Sequence, residues 1–239
     1  MIQKSRYKPF YKQFLRLRKN LQNRPKLFKF KRQKWKKFQQ YSKNQLKFYK
    51  RFKIKDQFQL SSARFASRGN SFQKKFRDNL YERKAFSLFY GKLKKRYLKR
   101  HFLRFFNVQS FLDYRHKVLK FFESRLDTVL YRACFCLTIE SARQLILHGH
   151  VLVNGAVVRT KSYILKENDL IEVSCDIKVR NLVKKNLDKS NFWPIPPKYL
   201  VINYRALQIL FVYTDTSNMM PIFNYYLNIN SITMNIKKL

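Results

Sequence analysis

The sequence predicts an α+β protein: a sharply patterned unit of two helices and short strands, set in a longer, strongly basic chain whose patterning is mostly helical. Three observations lead there. The stretch "HVLVNGAVV" (150–158) reads as two short apolar strands joined by Asn154-Gly155. That dipeptide is the strongest short-range hairpin signal, because both central residues must accept positive φ. Just upstream, "LTIESARQLILHGH" carries helix start and stop signals around an apolar stripe. The charge, finally, is partitioned, with the patterned region neutral and the rest of the chain basic.

Of 239 residues, 53 are Lys or Arg and 13 are Asp or Glu, a net charge of +40. Residues 1–55 hold 21 basic and no acidic residues, 56–123 hold 17 and 5, 124–176 hold 6 of each, and 177–239 hold 9 and 2. Such a chain repels itself unless a polyanion neutralises it, and only nucleic acid or an anionic membrane supplies that much negative charge. An aromatic content of 17 % argues against a featureless disordered tail. No apolar run reaches the roughly 18 residues of a transmembrane helix. Three cysteines, Cys134, Cys136 and Cys175, suggest no disulfide framework. Richness in Phe, Lys, Tyr, Asn and Ile beside only 4 Gly and 6 Pro matches AT-rich codons, as in an organelle genome.

In chain order, "SRYKPFYKQFLRLRKN" through "KLFKFKRQKWKKFQQY" interleaves cations with aromatics. It reads first as an arm laid along nucleic acid, with Phe and Tyr stacking or packing locally. A basic membrane-surface helix and a targeting peptide are the alternatives. The segment is poor in Ser and Ala and begins at Met1, so an uncleaved arm is expected. In "NLYERKAFSLFYGKLKKRYLKRHFLRFF", Phe86, Phe89, Tyr90, Leu93 and Tyr97 fall at helical spacings and predict one apolar stripe. Lys92, Lys94, Lys95, Arg96, Lys99 and Arg100 cover the remaining surface. A solvated basic face is the plain reading, but so many adjacent cations call for phosphates.

From Ser124, "SRLDTVLYRACF" predicts a helix with Leu126, Val129 and Leu130 on one face. A second helix follows, with Thr138 as N-cap, Glu140 in the first turn, a stripe of Ala142, Leu145 and Ile146, and Gly149 as the left-handed stop. The hairpin comes next, then two further short strands, "SYIL" and "NDLIEV", around a Glu167-Asn168-Asp169 turn.

These residues carry a resemblance. Arg125-Leu126-Asp127, Tyr131-Arg132, Ala142-Arg143-Gln144-Leu145, His148 and His150, Val153-Asn154-Gly155, Ser162-Tyr163, and Asp169 before Ile171 and Val173 match, in type and spacing, the RNA-binding module of the ribosomal protein S4 family. "ERKAFSLFYGKLKKRYLKRHF" is similar to that family's segment upstream of the module. "PPKYLVINYRALQILFVY" resembles its C-terminal stretch, and "RYKPFYKQFLRLRKNLQNR" the N-terminal arm of mitochondrially encoded members. The resemblance implies an extended basic N-terminal arm (1–75), a helical body domain (76–123 with a C-terminal return at 186–239), and an inserted helix-turn-helix plus β-hairpin RNA-binding module (124–185). Cys134 stands where the family usually has Gly, Lys161 where it often has Pro, and Asn168 where it has Gly; Asn also tolerates positive φ.

Site by site, Arg143 and Gln144 on the second helix are expected to grip phosphates, contacts that position rather than read bases. Arg125 and Arg132 either do the same or pair with Asp127 or Glu140. The resemblance implies that His148 and His150 sit on the RNA-facing turn; plain turn residues are the alternative. Asn154, Lys161, Ser162, Tyr90, Lys94, Lys95, Arg96, Lys99 and Arg100 complete the expected RNA contacts. No metal or other cofactor is expected, because His-x-His and Cys-x-Cys are the wrong spacings for common zinc sites. The cysteine-bound zinc of some bacterial relatives is not expected either, since this arm has no cysteine.

Pseudouridine synthases also use an Arg-Leu-Asp aspartate, but in a separate catalytic domain that residues 177–239 cannot supply. A tyrosyl-tRNA synthetase needs a nucleotide-binding domain that 4 glycines cannot build. The resemblance thus implies a non-enzyme: a mitochondrial small-subunit ribosomal protein, with a plastid location less favoured. It would bind small-subunit rRNA early in assembly, beside the path by which mRNA enters and against protein S5. Neither a membrane nor a second copy is expected among its partners. A stand-alone RNA-binding factor or RNA-modifying enzyme using the same module is the alternative.

Overall fold

In the computed structural model the described residues are 10–17, 21, 29–41, 72–105, 111–188, 196–212 and 232. The chain divides into two units, Met1–Lys92 with Phe223–Leu239, and Leu93–Ile222.

In the first unit the basic arm folds where its aromatics meet. Helix α1 (Phe10–Leu17) and the helical residues 33–41 (α2) bring Tyr11 within 5.2 Å of Phe30 and 5.8 Å of Trp35, ring centre to ring centre. Trp35 also meets Phe30 at 4.7 Å and Phe38 edge-on at 5.9 Å. Aromatic pairs like these contribute about 0.5–1.5 kcal/mol each beyond area burial. Lys31, Arg32, Lys34, Lys36 and Lys37 meanwhile stay exposed. The expected extended arm is therefore corrected for these stretches, which are helical; the rest of residues 1–71 lies outside the described residues.

Helix α3 (Phe72–Phe89) buries Ala85, Phe86, Leu88 and Phe89. It stops at Gly91 and Lys92, whose φ angles are +73° and +56°. The single apolar stripe expected through Tyr97 is corrected by this break. Two consecutive left-handed residues cannot continue a right-handed helix, so the stripe splits into α3 and a separate helix.

The second unit starts with that helix, α4 (Lys95–Arg104), which buries Leu98 and Phe102. Helix α5 (Phe111–Glu123) buries Val118, Leu119, Phe121 and Phe122, and Phe102 meets Phe122 at 5.9 Å. The Tyr114 hydroxyl donates to the Phe102 carbonyl at 3.3 Å, and burial pushes its pKa up to about 12. Then come α6 (Leu126–Arg132) and α7 (Ile139–Leu147). Thr138 caps α7 as expected, accepting from Ser141 N at 3.1 Å. At the other end Gly149 takes φ +77°, with Gly149 N donating to Ile146 O at 3.0 Å and His150 N to Leu145 O at 3.1 Å. That pair of bonds is a Schellman close.

Five antiparallel strands follow in the spatial order β2-β1-β3-β5-β4: β1 (Val151–Val153), β2 (Ala156–Val157), β3 (Leu170–Val173), β4 (Leu200–Asn203) and β5 (Gln208–Phe211). Asn154 and Gly155 turn the β1–β2 hairpin with φ +52° and +79°, the left-handed pair a type I′ turn demands. The pairs Val151 with Val173, Val153 with Ile171, and Ile171 with Ile209 put buried residues in register on one sheet face. That face packs with Leu126, Val129, Leu130, Ala142 and Ile146 of the helices, and with Val179 and Val183 of α8 (Ile177–Asp188), in one core.

"SYIL" is not a strand. It makes a single bridge, Ile164 to Arg125, with Leu126 N donating to Tyr163 O and Leu165 N to Ser124 O, each at 2.9 Å. The start of α6 is its partner, and a helix end offers no further ladder. Strands β4 and β5, from the stretch read as the C-terminal return, zip onto β3 instead and extend the sheet. The second unit thus holds α4, α5 and these strands together with residues 124–185.

Candidate nucleic-acid interface

Asp127 lies at the joint between α4 and the helix pair α6–α7, fully buried. Arg125 donates to both of its oxygens, from Nε at 3.0 Å and Nη2 at 2.9 Å, and from Nη1 to the Tyr97 hydroxyl on α4 at 2.6 Å. Arg143 on α7 donates from Nε to the same carboxylate at 2.7 Å. Burial works against the Arg125 charge, but the hydrogen bonds and charge of Asp127, with Tyr97, outweigh it and leave the guanidinium more firmly protonated than usual. One carboxylate therefore holds two guanidiniums, and the Arg125–Tyr97 bond ties α4 to the module.

A second buried carboxylate, Glu123 at the end of α5, receives Arg132 in parallel from Nε at 2.9 Å and Nη2 at 2.8 Å. The Tyr199 hydroxyl donates to the same group at 2.6 Å. Tyr199 is held well above its ordinary pKa, first by burial and then by the neighbouring Glu123 charge, so it stays a donor.

On α4, Lys94, Lys95, Arg96, Arg100 and Arg104 are exposed and Lys99 is half-buried. The inward side carries His101, stacked on Phe121 at 4.3 Å and 25° and tilted against Tyr97 at 4.3 Å. Burial, then the charges of Arg104, Arg125 and Arg100, lower its pKa, and its buried Nδ1 has no hydrogen-bond partner.

At the far end of α7, His148 is exposed and His150 half-buried, their rings 6.1 Å apart. Gln144, Arg159, Lys161 and Ser162 are exposed around the same helix end and hairpin, and no acidic residue occurs between Glu140 and Glu167. The hairpin corner is braced from within. Asn154 Nδ2 donates to Asp169 at 2.8 Å, Leu170 N donates to Asn154 Oδ1 at 2.9 Å, and Lys166 N donates to Asp169 at 2.7 Å. Among the described residues, no group of three or more His, Cys, Asp or Glu is placed to hold a metal ion.

The expected contacts therefore sort by position. Gln144, His148 and His150 lie on α7 or just after it, Lys161 and Ser162 follow the hairpin, and Lys95, Arg96, Lys99 and Arg100 lie along α4 with Lys94 at its N-cap. Arg125 takes the paired alternative: at 2 % exposure, with all three guanidinium nitrogens bonded inside, it is held by Asp127 and Tyr97. Arg132 and Arg143 carry carboxylate pairs as well, Arg132 with Glu123 and Arg143 with Asp127. The Asn154 side chain braces the turn. Tyr90 is corrected, buried at 1 % exposure against Phe86 and Phe89 in the first unit.

Sequence reading missed Glu123 and Tyr199 as internal partners and gave Tyr97 only a place on the apolar stripe. Glu123 carried no local signal, since its helix holds Asp113 as well as Glu123 beside Arg115, Lys117 and Lys120. Cys134 was noted only as a replacement for Gly, yet its φ of +62° shows why Gly is usual there.

The S4 domain family model matches residues 124–171. Full-length comparison finds small ribosomal subunit protein uS4 of Kosmotoga olearia, 36 % identical over 56 % of this chain and 62 % of the relative. Small ribosomal subunit protein uS4m of Marchantia polymorpha is 29 % identical over 72 % of this chain and 86 % of the relative. Small ribosomal subunit protein uS4c of Olimarabidopsis pumila is 48 % identical over 30 % of this chain and 36 % of the relative. The chain thus spans 62 % of the Kosmotoga protein's length and 52 % of its Thermotoga maritima counterpart's.

Proposed function

Because the chain belongs to the ribosomal protein S4 family, we propose that it is a structural constituent of the mitochondrial small ribosomal subunit, where it binds small-subunit rRNA. One observation carries the reading. The module engages Glu123, Asp127 and Asp169 internally, while exposed cations and imidazoles collect along α4 and at the His148–Ser162 end. That arrangement suits a rigid body whose cationic edges follow a phosphate backbone, and such contacts fix register and orientation rather than sequence. The chain acts as a scaffold and not as an enzyme.

The mitochondrial assignment is supported by the uS4m relative, which aligns with most of the chain, and by AT-biased composition. The shorter match to a uS4c protein makes the plastid the competing location. Following the family, the protein binds early in assembly, sits beside the path by which mRNA enters, and adjoins protein S5.

Sedimentation of organelle lysate tests the reading. The protein is expected in every small subunit at one copy; a free or substoichiometric pool would instead indicate a stand-alone factor. Binding to small-subunit rRNA should weaken with salt, with a log–log slope of roughly −0.7 to −0.9 per neutralised phosphate. Salt-insensitive binding would sink the reading.

A further inference from the structure

The geometry points to Arg159 as a seat for an RNA phosphodiester, its guanidinium lying over the bare Cα of Gly149. This deepens the rRNA-binding reading above and rests on it.

Four arginines lie between residues 124 and 176. Arg125, Arg132 and Arg143 are bonded to buried carboxylates. Arg159 is exposed and has neither a hydrogen-bond nor an ion-pair partner among the described residues.

Its guanidinium nonetheless lies close against the turn that ends α7. A Cβ on Gly149 would stand 3.2 Å from Arg159 Nε and 3.7 Å from Nη2, so the guanidinium lies over the glycine where any other residue would crowd it. Val157 Cγ1, 3.4 Å from the same point, closes one side. The backbone beneath is pinned from both directions, by His150 N on Leu145 O and Val158 N on Val151 O, each at 3.1 Å. Gly149 thus does two things: its φ of +77° closes α7, and its bare Cα admits the guanidinium.

A guanidinium without an internal acceptor, lying against a fixed loop, presents a planar fork of donors to an incoming group. A phosphodiester matches that fork, because two N–H groups can reach two of its oxygens at once. His148 precedes the glycine and is exposed, and Lys161 follows two residues after the arginine, so the local field is cationic. No acidic residue between Glu140 and Glu167 competes for the fork.

The test measures binding of the full chain to small-subunit rRNA and to polyuridylate across a salt series, for wild type, Arg159→Ala, Arg159→Lys and Gly149→Ala. Arg159→Ala should weaken rRNA binding about ten-fold and reduce the salt slope by about one. Arg159→Lys should restore the slope but not the affinity, since an ammonium keeps the charge and loses the fork. Gly149→Ala keeps the charge but crowds the guanidinium and strains the left-handed turn at φ +77°, so it should weaken binding with little change in slope. Thermal unfolding of Arg159→Ala should match wild type, because the side chain is exposed and unbonded. Wild-type affinity and slope in Arg159→Ala, with wild type itself binding rRNA in a salt-dependent way, would overturn the assignment of Arg159 alone. Failure of wild type to prefer rRNA over polyuridylate would overturn the rRNA-binding reading, and the inference with it.

Discussion

Asp127 and Arg143, sixteen residues apart, meet at 2.7 Å on a carboxylate that already holds Arg125 in a two-point grip. The carboxylate has no exposed surface, and its two partners keep 17 % and 3 % of theirs. A buried pair of this kind is weak evidence of net stabilisation, yet removing one partner leaves uncompensated charge in the interior. Asp127→Asn strands two guanidiniums at once and should lower stability by about 3–5 kcal/mol, read from urea unfolding of the full chain. A loss below about 1 kcal/mol, the range of exposed pairs, would mean that water reaches the site.

Tyr199 reaches back to Glu123 across seventy-six positions of sequence, and the bond joins the loop before β4 to the end of α5. Tyr199→Phe keeps the packing against Phe211 at 6.1 Å and removes only the hydroxyl. Hydrogen bonds to charged groups contribute about 1.5–3 kcal/mol, so unfolding should fall by that amount with an unchanged denaturant slope. A neutral result would show that Glu123 is satisfied without the Tyr199 hydroxyl.

The hairpin corner separates two contributions. Gly155 has φ +79° and open space around its missing Cβ, so Gly155→Ala meets only backbone strain, about 1–2 kcal/mol. Asn154→Ala meets a comparable strain at φ +52° and also removes the side-chain bonds to Asp169 and Leu170. It should therefore cost clearly more, and Asn154→Gly, which relieves the strain, should fall between wild type and Asn154→Ala. Thermal unfolding of the three variants gives the order; equal losses for Asn154→Gly and wild type would show that the brace to Asp169 contributes nothing.

The contrast between Asn154 and Glu123 marks what the sequence could disclose. Helix α7 and the hairpin were legible to the residue because Thr138, Gly149, Asn154 and Gly155 act within a few positions of themselves. Gly91 was equally visible as a possible break, but the apolar spacing across it was followed instead, and its left-handed φ won. The outer half of the sheet was hidden, because β5 finds β3 across 36 positions and apolar alternation does not say which edge a strand will join. The guanidiniums posed the hardest case. Arg125, Arg143 and Arg159 look alike in sequence, and only the placement of Asp127 decides that the first two are held inside while the third faces outward.

His101 gives the second unit a dependence on mild acid. Its ring stacks on Phe121 and tilts against Tyr97, its Nδ1 is buried without a partner, and burial first, then the charges of Arg104, Arg125 and Arg100, lower its folded-state pKa from 6.5. As pH falls below 6.5, the unfolded chain takes up a proton that the folded chain resists, and unfolding becomes easier. The contribution is fully present above that pH and declines through the window beneath it, until the folded imidazole itself protonates. His101→Phe keeps an aromatic ring against Phe121 and removes the titration. Between about pH 7 and 5, the interval in which histidine ordinarily changes charge, the melting temperature of wild type should drop more steeply than that of His101→Phe. Parallel profiles would mean that the imidazole is solvated and that the cations around it are screened.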